Sequence, residues 1–192
     1  MQNTENNLYI NRGNIINIKS EILCREAEDD FFYFNNINAA YKKLNESVKL
    51  TPNHIKSIIL LADVSFIKGY IRKSLKLFNK AEQMGCHSAK IYASIANCNN
   101  VLGNYSEALK NCNKAIERIN FENFIIYSQV VEMKINILIQ QKQYKKAYIT
   151  FIKAQNILDK NSLKSIYNIS YELLNKKINV HNRLMQSHLK IV

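Results

Sequence analysis

The stretch GNYSEALKNCNKAI, Gly103 to Ile116, decides the architecture. It places Ala108, Cys112 and Ala115 at spacings of four and three, which is one face of an α-helix. Small residues at the two ends of that face let another helix approach closely, and the larger residue between them fills the space beside the approach. The pattern recurs. Stepping back 34 residues gives Ser74, Phe78 and Ala81, and a further 34 gives Ala40, Leu44 and Ser47, while Gly103 steps back to Gly69. Forward by 39 residues the same slots hold Ala147, Phe151 and Ala154. Self-similarity at such a period marks an array of small repeated units.

Each of these helices has a partner before it. Ile58-x-x-Leu61-Ala62 and Tyr92-x-x-Ile95-Ala96 read large, large, small at matching places. The unit is therefore helix–turn–helix, with apolar stripes that only a neighbouring unit can cover. One proline and four glycines in 192 residues disfavour β folds with many turns and suit long helices with short links.

The period and these residues resemble the tetratricopeptide repeat family. Tyr92, Ile95 and Ala96 stand at its Trp, Leu and Gly places, and Ala108, Cys112 and Ala115 at its Ala, Phe and Ala places. Pro52, in LTPN, ends the first unit where the family places its proline. The resemblance covers roughly Glu21 to Asp159. It implies an all-α fold, a right-handed α–α superhelix of about four helix–turn–helix repeats closed by a C-terminal cap. The expected organisation is a polar segment over 1–13, repeats over about 14–54, 55–88, 89–122 and 123–159, and capping helices over 160–192. Several positions depart from the pattern. Glu28 sits at the first unit's small slot, so its opening helix is expected to be irregular or long. Asn99 replaces an aromatic in the third unit. Lys134-Ile135 stands where the fourth unit should have Leu-Gly, and Glu122 to Gln141 reads as a longer helix. Gly13 is expected to bound a helix from about Asn14 to Phe34.

The net charge is +12, yet the chain up to Leu50 holds six basic and seven acidic residues, so the excess lies beyond it. Such a charge invites an acidic or nucleic-acid partner, although an abundance of Asn, Ile and Lys also follows from A/T-rich codons. Cys24, Cys86, Cys98 and Cys112 form no C-x-x-C pair and His54, His87, His181 and His188 are dispersed, so reduced thiols, no metal site and no cofactor are expected. No phosphate-binding loop, nucleophile elbow or zinc-protease motif is present, and Glu26, Glu28, Asp29 and Asp30 point in several directions on a helix. A non-catalytic protein is the expectation. MQNTENN lacks the layout of a secretory signal, and the expected location is cytoplasmic.

In the family, the first helices of the units line a concave groove. Removing the packing slots leaves one exposed stripe on each first helix: Ile22, Arg25, Asp29 and Phe32; Lys56, Ile59, Asp63 and Phe66; Lys90, Ala93, Asn97 and Asn100; Gln129, Glu132, Asn136 and Ile139. Across them runs a ladder of Asp29, Asp63, Asn97 and Asn136, groups able to hydrogen-bond an extended main chain. The expected function is to hold a peptide segment or helix of another protein there. Capture of acidic chaperone tails, known in the family, fits poorly. Arg25 and Lys90 could serve as two of its cations, but Asp29 and Leu60 occupy its asparagine places and Ser94 its remaining arginine place. The alternative is a polyanion scaffold using Lys42, Lys76 and Lys110 at one slot of the second helices and Lys80, Lys114 and Lys153 at another. Little aromatic interleaving accompanies them, so sequence-specific RNA reading is not indicated.

Overall fold

The computed structural model describes residues 2–119 and 124–160. Every regular element among them is a helix: α1 Gln2–Phe32, α2 Ile37–Leu50, α3 Ile55–Ile67, α4 Ile71–Gln83, α5 Ala89–Val101, α6 Tyr105–Ile116, α7 Phe124–Gln140 and α8 Tyr144–Lys160. They form two compact units, one holding α1 to α4 and the other α5 to α8. The C-terminal cap expected over 160–192 falls outside the described residues except for the last residue of α8.

Within both units consecutive helices pack as antiparallel pairs, α1 with α2, α3 with α4, α5 with α6 and α7 with α8. The small–large–small triplets lie at the centre of this packing. Ala40, Leu44 and Ser47, then Ser74, Phe78 and Ala81, then Ala108, Cys112 and Ala115, and finally Ala147, Phe151 and Ala154 are all at most 3 % exposed. How close the approach is can be read from Ser74, whose hydroxyl on α4 donates to the Ala62 backbone carbonyl of α3 at 2.8 Å. A longer side chain at either place would hold the helices apart.

The first unit's core joins Cys24 and Ala27 of α1 to Ala40 and Leu44 of α2 and to Leu60, Leu61 and Val64 of α3. Three serines complete it. Ser20 and Ser47 each donate to the other's backbone carbonyl, at 3.1 and 2.9 Å, and Ser47 Oγ lies 2.7 Å from Ser57 Oγ. In the second unit Tyr127, Val131, Ile135 and Leu138 of α7 meet Ala147, Phe151 and Ala154 of α8.

The departures have physical resolutions. α1 does not begin near Asn14 but runs through Gly13 from Gln2, and it ends at Phe32 rather than Phe34. One internal glycine costs a helix only about 1 kcal/mol, which is not enough to stop it. Glu28 is accommodated at its small slot by an ion pair to Lys56 at 2.8 Å. Asn99 bonds along its own helix to the Ile95 carbonyl and accepts from Asn104 Nδ2 at 3.3 Å, tying α5 to the following turn. α7 keeps the repeat register with Ile135 fully buried where a glycine was expected.

The turn inside each pair repeats as well. Asn35, Gly69, Gly103 and Lys142 all have positive φ, at 49°, 78°, 77° and 58°. After the last three, the next residue's N–H reaches back five residues to a helix carbonyl, from Tyr70 to Ser65, Asn104 to Asn99 and Gln143 to Leu138. This left-handed cap is cheapest with glycine. A Cβ at Gly103 would meet nothing within 4 Å, so only backbone strain opposes a side chain there. Gly103→Ala should therefore lower unfolding free energy by about 1 kcal/mol, whereas Lys142→Gly should leave it unchanged or raise it by about 0.5–1 kcal/mol. Urea denaturation of the two variants beside the parent checks both signs.

Candidate functional site

In the first unit α1 and α3 lie side by side. Arg25, Asp29 and Phe32 on α1 and Lys56 on α3 are exposed, and Asp63 and Phe66 are half-buried. Lys56 is not a lone cation, because its ammonium is paired with Glu28 across the two helices; that partner holds its pKa above the ordinary lysine value. Phe32 is exposed, and its ring meets that of Phe31 edge-on at 4.7 Å between centroids. In the second unit Lys90 is exposed on α5, Asn97 and Asn100 are half-buried there, and Glu132 and Asn136 are half-buried on α7. None of these eleven side chains belongs to the buried core. Leu60, at a place where chaperone-tail binding requires an amide, is only 5 % exposed and can present nothing to a ligand.

The first stripe on α1 reaches further toward the N-terminus than the sequence reading took it, from Ile22 to Ile18 and Ile15. Ile15, Ile18 and Ile22, at spacings of three and four, are 64, 59 and 49 % exposed. They continue toward the N-terminus the same helical face that carries Arg25, Asp29 and Phe32. The signal was available as an apolar stripe at helical spacing, but the repeat register began only at Glu21 and left the preceding turns unread.

The lysines of the second helices divide into two groups. Lys42, Lys76, Lys110 and Lys153 are exposed, Lys110 lying 3.6 Å from Glu107 on its own helix. Lys80 and Lys114 are half-buried and structurally engaged. Lys80 donates to the Pro52 carbonyl, and Lys114 sits 4.8 Å from the centroid of the Tyr92 ring. Lys73 bonds to Tyr41 Oη and Asn45 Oδ1 at 2.7 and 2.9 Å. Lys80, Lys114 and Lys73 are thus engaged with neighbouring residues, while Lys42, Lys76, Lys110 and Lys153 remain on the surface.

One polar chain in the first unit has the composition of a hydrolytic triad. His54 Nε2 lies 2.8 Å from Glu21 Oε2, and His54 Nδ1 lies 2.6 Å from Ser57 Oγ. An ionised carboxylate only accepts, so Nε2–H donates to Glu21, and the Nδ1 side of the ring is joined to the Ser57 hydroxyl. Ser57 is fully buried and also bonded to Ser47, so no substrate carbon can reach its oxygen. The chain is a structural tie from α1 to the start of α3. Among the described residues no cluster of His, Cys, Asp and Glu could hold a metal ion, and no helix is long and apolar enough to cross a membrane.

None of the four cysteines forms a disulfide. Burial pushes the Cys112 thiol up to about 11, against a smaller opposing pull from the Lys134 ammonium, and burial likewise raises Cys24. Reaction with alkylating reagents requires thiolate and access. Iodoacetamide at neutral pH should accordingly modify half-exposed Cys86 first and reach Cys24, Cys98 and Cys112 only after unfolding. Mass spectrometry of the native protein and of the protein in urea tests that order.

Paired antiparallel helices in a 34-residue register, with small residues at each crossing, define the tetratricopeptide repeat fold. Solved structures of similar form include proteins described as tetratricopeptide repeat proteins. The chain is similar to MamA, with a TM-score of 0.67 at 15 % identity over 90 % of this chain and 89 % of that one. It is similar to PilF of Pseudomonas aeruginosa, with a TM-score of 0.64 at 16 % identity over 89 % of this chain and 74 % of that one. It is also similar to YrrB, a TPR protein with an unusual peptide-binding site, with a TM-score of 0.61 at 14 % identity over 88 % of this chain and 91 % of that one. No family model matches the sequence, and no curated protein matches it.

Proposed function

We propose that the protein is a non-catalytic interaction scaffold that holds a helix or peptide segment of a partner protein against its first helices. The observation that carries this reading is the α1 face, where Ile15, Ile18 and Ile22 stand exposed in a row beside Arg25, Asp29 and Phe32. Exposed apolar side chains gathered on one helical face, flanked by charge, mark a protein-binding surface. Their spacing suits a second helix, which offers anchors at three- and four-residue intervals. Asp63 and Phe66 on neighbouring α3 extend the surface, and within the second unit the side chains of Asn97, Asn100, Glu132 and Asn136 carry groups able to bond a peptide main chain. The peptide-binding site of YrrB, on the same fold, supports the choice of ligand class. The engagement of Lys80, Lys114 and Lys73 within the helix packing favours this reading over a polyanion scaffold.

A photo-crosslinking residue placed at position 22 should give protein adducts in the source cells, and one placed at position 42 should give none. Ile18→Asp with Ile22→Asp should weaken binding of the identified partner by about tenfold or more, equivalent to about 1.4 kcal/mol. The melting temperature should not fall, because both side chains are exposed in the folded protein. Equal crosslinking at 22 and 42, or nucleic-acid adducts at 42 alone, would contradict the assignment.

A further inference from the structure

A cavity of about 330 Å³ opens among α6, α7 and α8 in the second unit. Its walls include Leu109 and Asn113 of α6, Lys134 and Leu138 of α7, and Lys146 and Ile149 of α8. The size falls within the range of sites for small ligands or single anchoring side chains. Two of the lining residues are lysines and none is a carboxylate.

Lys134 is the informative member. In the preceding repeats its slot holds Leu61 and Ile95, which are 1 and 2 % exposed in their cores. A charged side chain at that slot is costly, since burial disfavours the ammonium. Burial accordingly pulls Lys134 below the ordinary lysine value, and nearby Lys153 adds to the effect. Among the described residues its ammonium donates one hydrogen bond, to Asn113 Oδ1 at 2.7 Å. An ammonium carries three N–H groups, so it retains donors for a ligand, as does the Asn113 amide. Lys146 brings a second positive charge to the wall, with Leu109, Leu138 and Ile149 as aliphatic surface beside it.

We propose that this cavity is a binding site for a carboxylate borne next to an aliphatic group, with Lys134 and Lys146 holding the carboxylate and Leu109, Leu138 and Ile149 receiving the aliphatic part. A carboxylate accepts through two oxygens from the lysine and amide donors present and needs no further cation to balance it. Two sources share this chemistry: a free short-chain acid, and the C-terminus of a polypeptide ending in an aliphatic residue. The site lies wholly in the second unit and does not depend on the α1 surface.

The full chain is titrated calorimetrically with 4-methylpentanoate, with acetyl-Ala-Ala-Leu as free acid, with the amide of the same peptide, and with inorganic phosphate. At least one of the two carboxylates should bind, about tenfold or more tightly than the amide or phosphate. The tighter of the two identifies the source. Lys134→Met should abolish the difference between acid and amide, and Lys146→Met should reduce it several-fold. Lys134→Met should also melt higher, by about 2–4 °C, because it returns an apolar side chain to a packing slot. That rise separates lost binding from lost folding. Binding of the amide as tight as that of the acid, undiminished binding by Lys134→Met, or binding of phosphate alone would overturn the proposal.

Discussion

The structure depends on close contact between helices at positions where the side chain is nearly absent. An α-helix in this chain has one apolar stripe and too few residues to bury it alone. Pairing hides part of the stripe, and the next pair hides more. Alanine or serine at the crossing lets the backbones approach, as the Ser74 hydroxyl bonding to the Ala62 carbonyl shows. The large residue between, Leu44, Phe78, Cys112 or Phe151, then occupies the volume beside the crossing and excludes water from it. Most of the remaining framework, including the turn geometry, serves to bring these crossings into register.

The same constraint separates structural positions from those free for function. Every triplet residue is consumed by packing, so chemistry can reside only on the outward stripes of the helices or where the pattern is broken. Glu28 and Asn99 break it and are reabsorbed, one by an ion pair and the other by hydrogen bonds to its own helix and turn. Lys134 also breaks it, but its ammonium borders a cavity instead of a closed core. A departure that leaves unused hydrogen-bonding capacity beside open space differs physically from one that the fold neutralises.

Much of this was legible from residue spacing. The 34-residue step located three of the triplets and a 39-residue step the fourth, because close packing restricts those slots to a few residue types. Turn geometry was half legible. Gly69 and Gly103 advertise the left-handed conformation, whereas Asn35 and Lys142 adopt it without glycine. The start of α1 was misjudged because a lone glycine looks like a boundary, yet helix propagation on both sides overrides it. The chain from Glu21 through His54 to Ser57 was invisible, since the glutamate comes from another helix 33 residues before the histidine. On the candidate surface the stripes on α1 and α3 followed from subtraction of packing slots. The Glu28–Lys56 pair required coordinates, whereas the isoleucines before Glu21 were legible as an apolar stripe that the repeat register did not reach.

The most direct measurement compares the unfolding free energies of Ala108→Leu and Lys110→Leu. Ala108 is fully buried at a crossing, and Lys110 is exposed on the same helix two residues on. If close helix approach sustains the fold, Ala108→Leu should destabilise the protein by about 2–3 kcal/mol through overpacking. Lys110→Leu should then stay within about 0.5 kcal/mol of the parent. Equal stability of the two variants would contradict the account, because leucine would then be tolerated where the helices were held to touch.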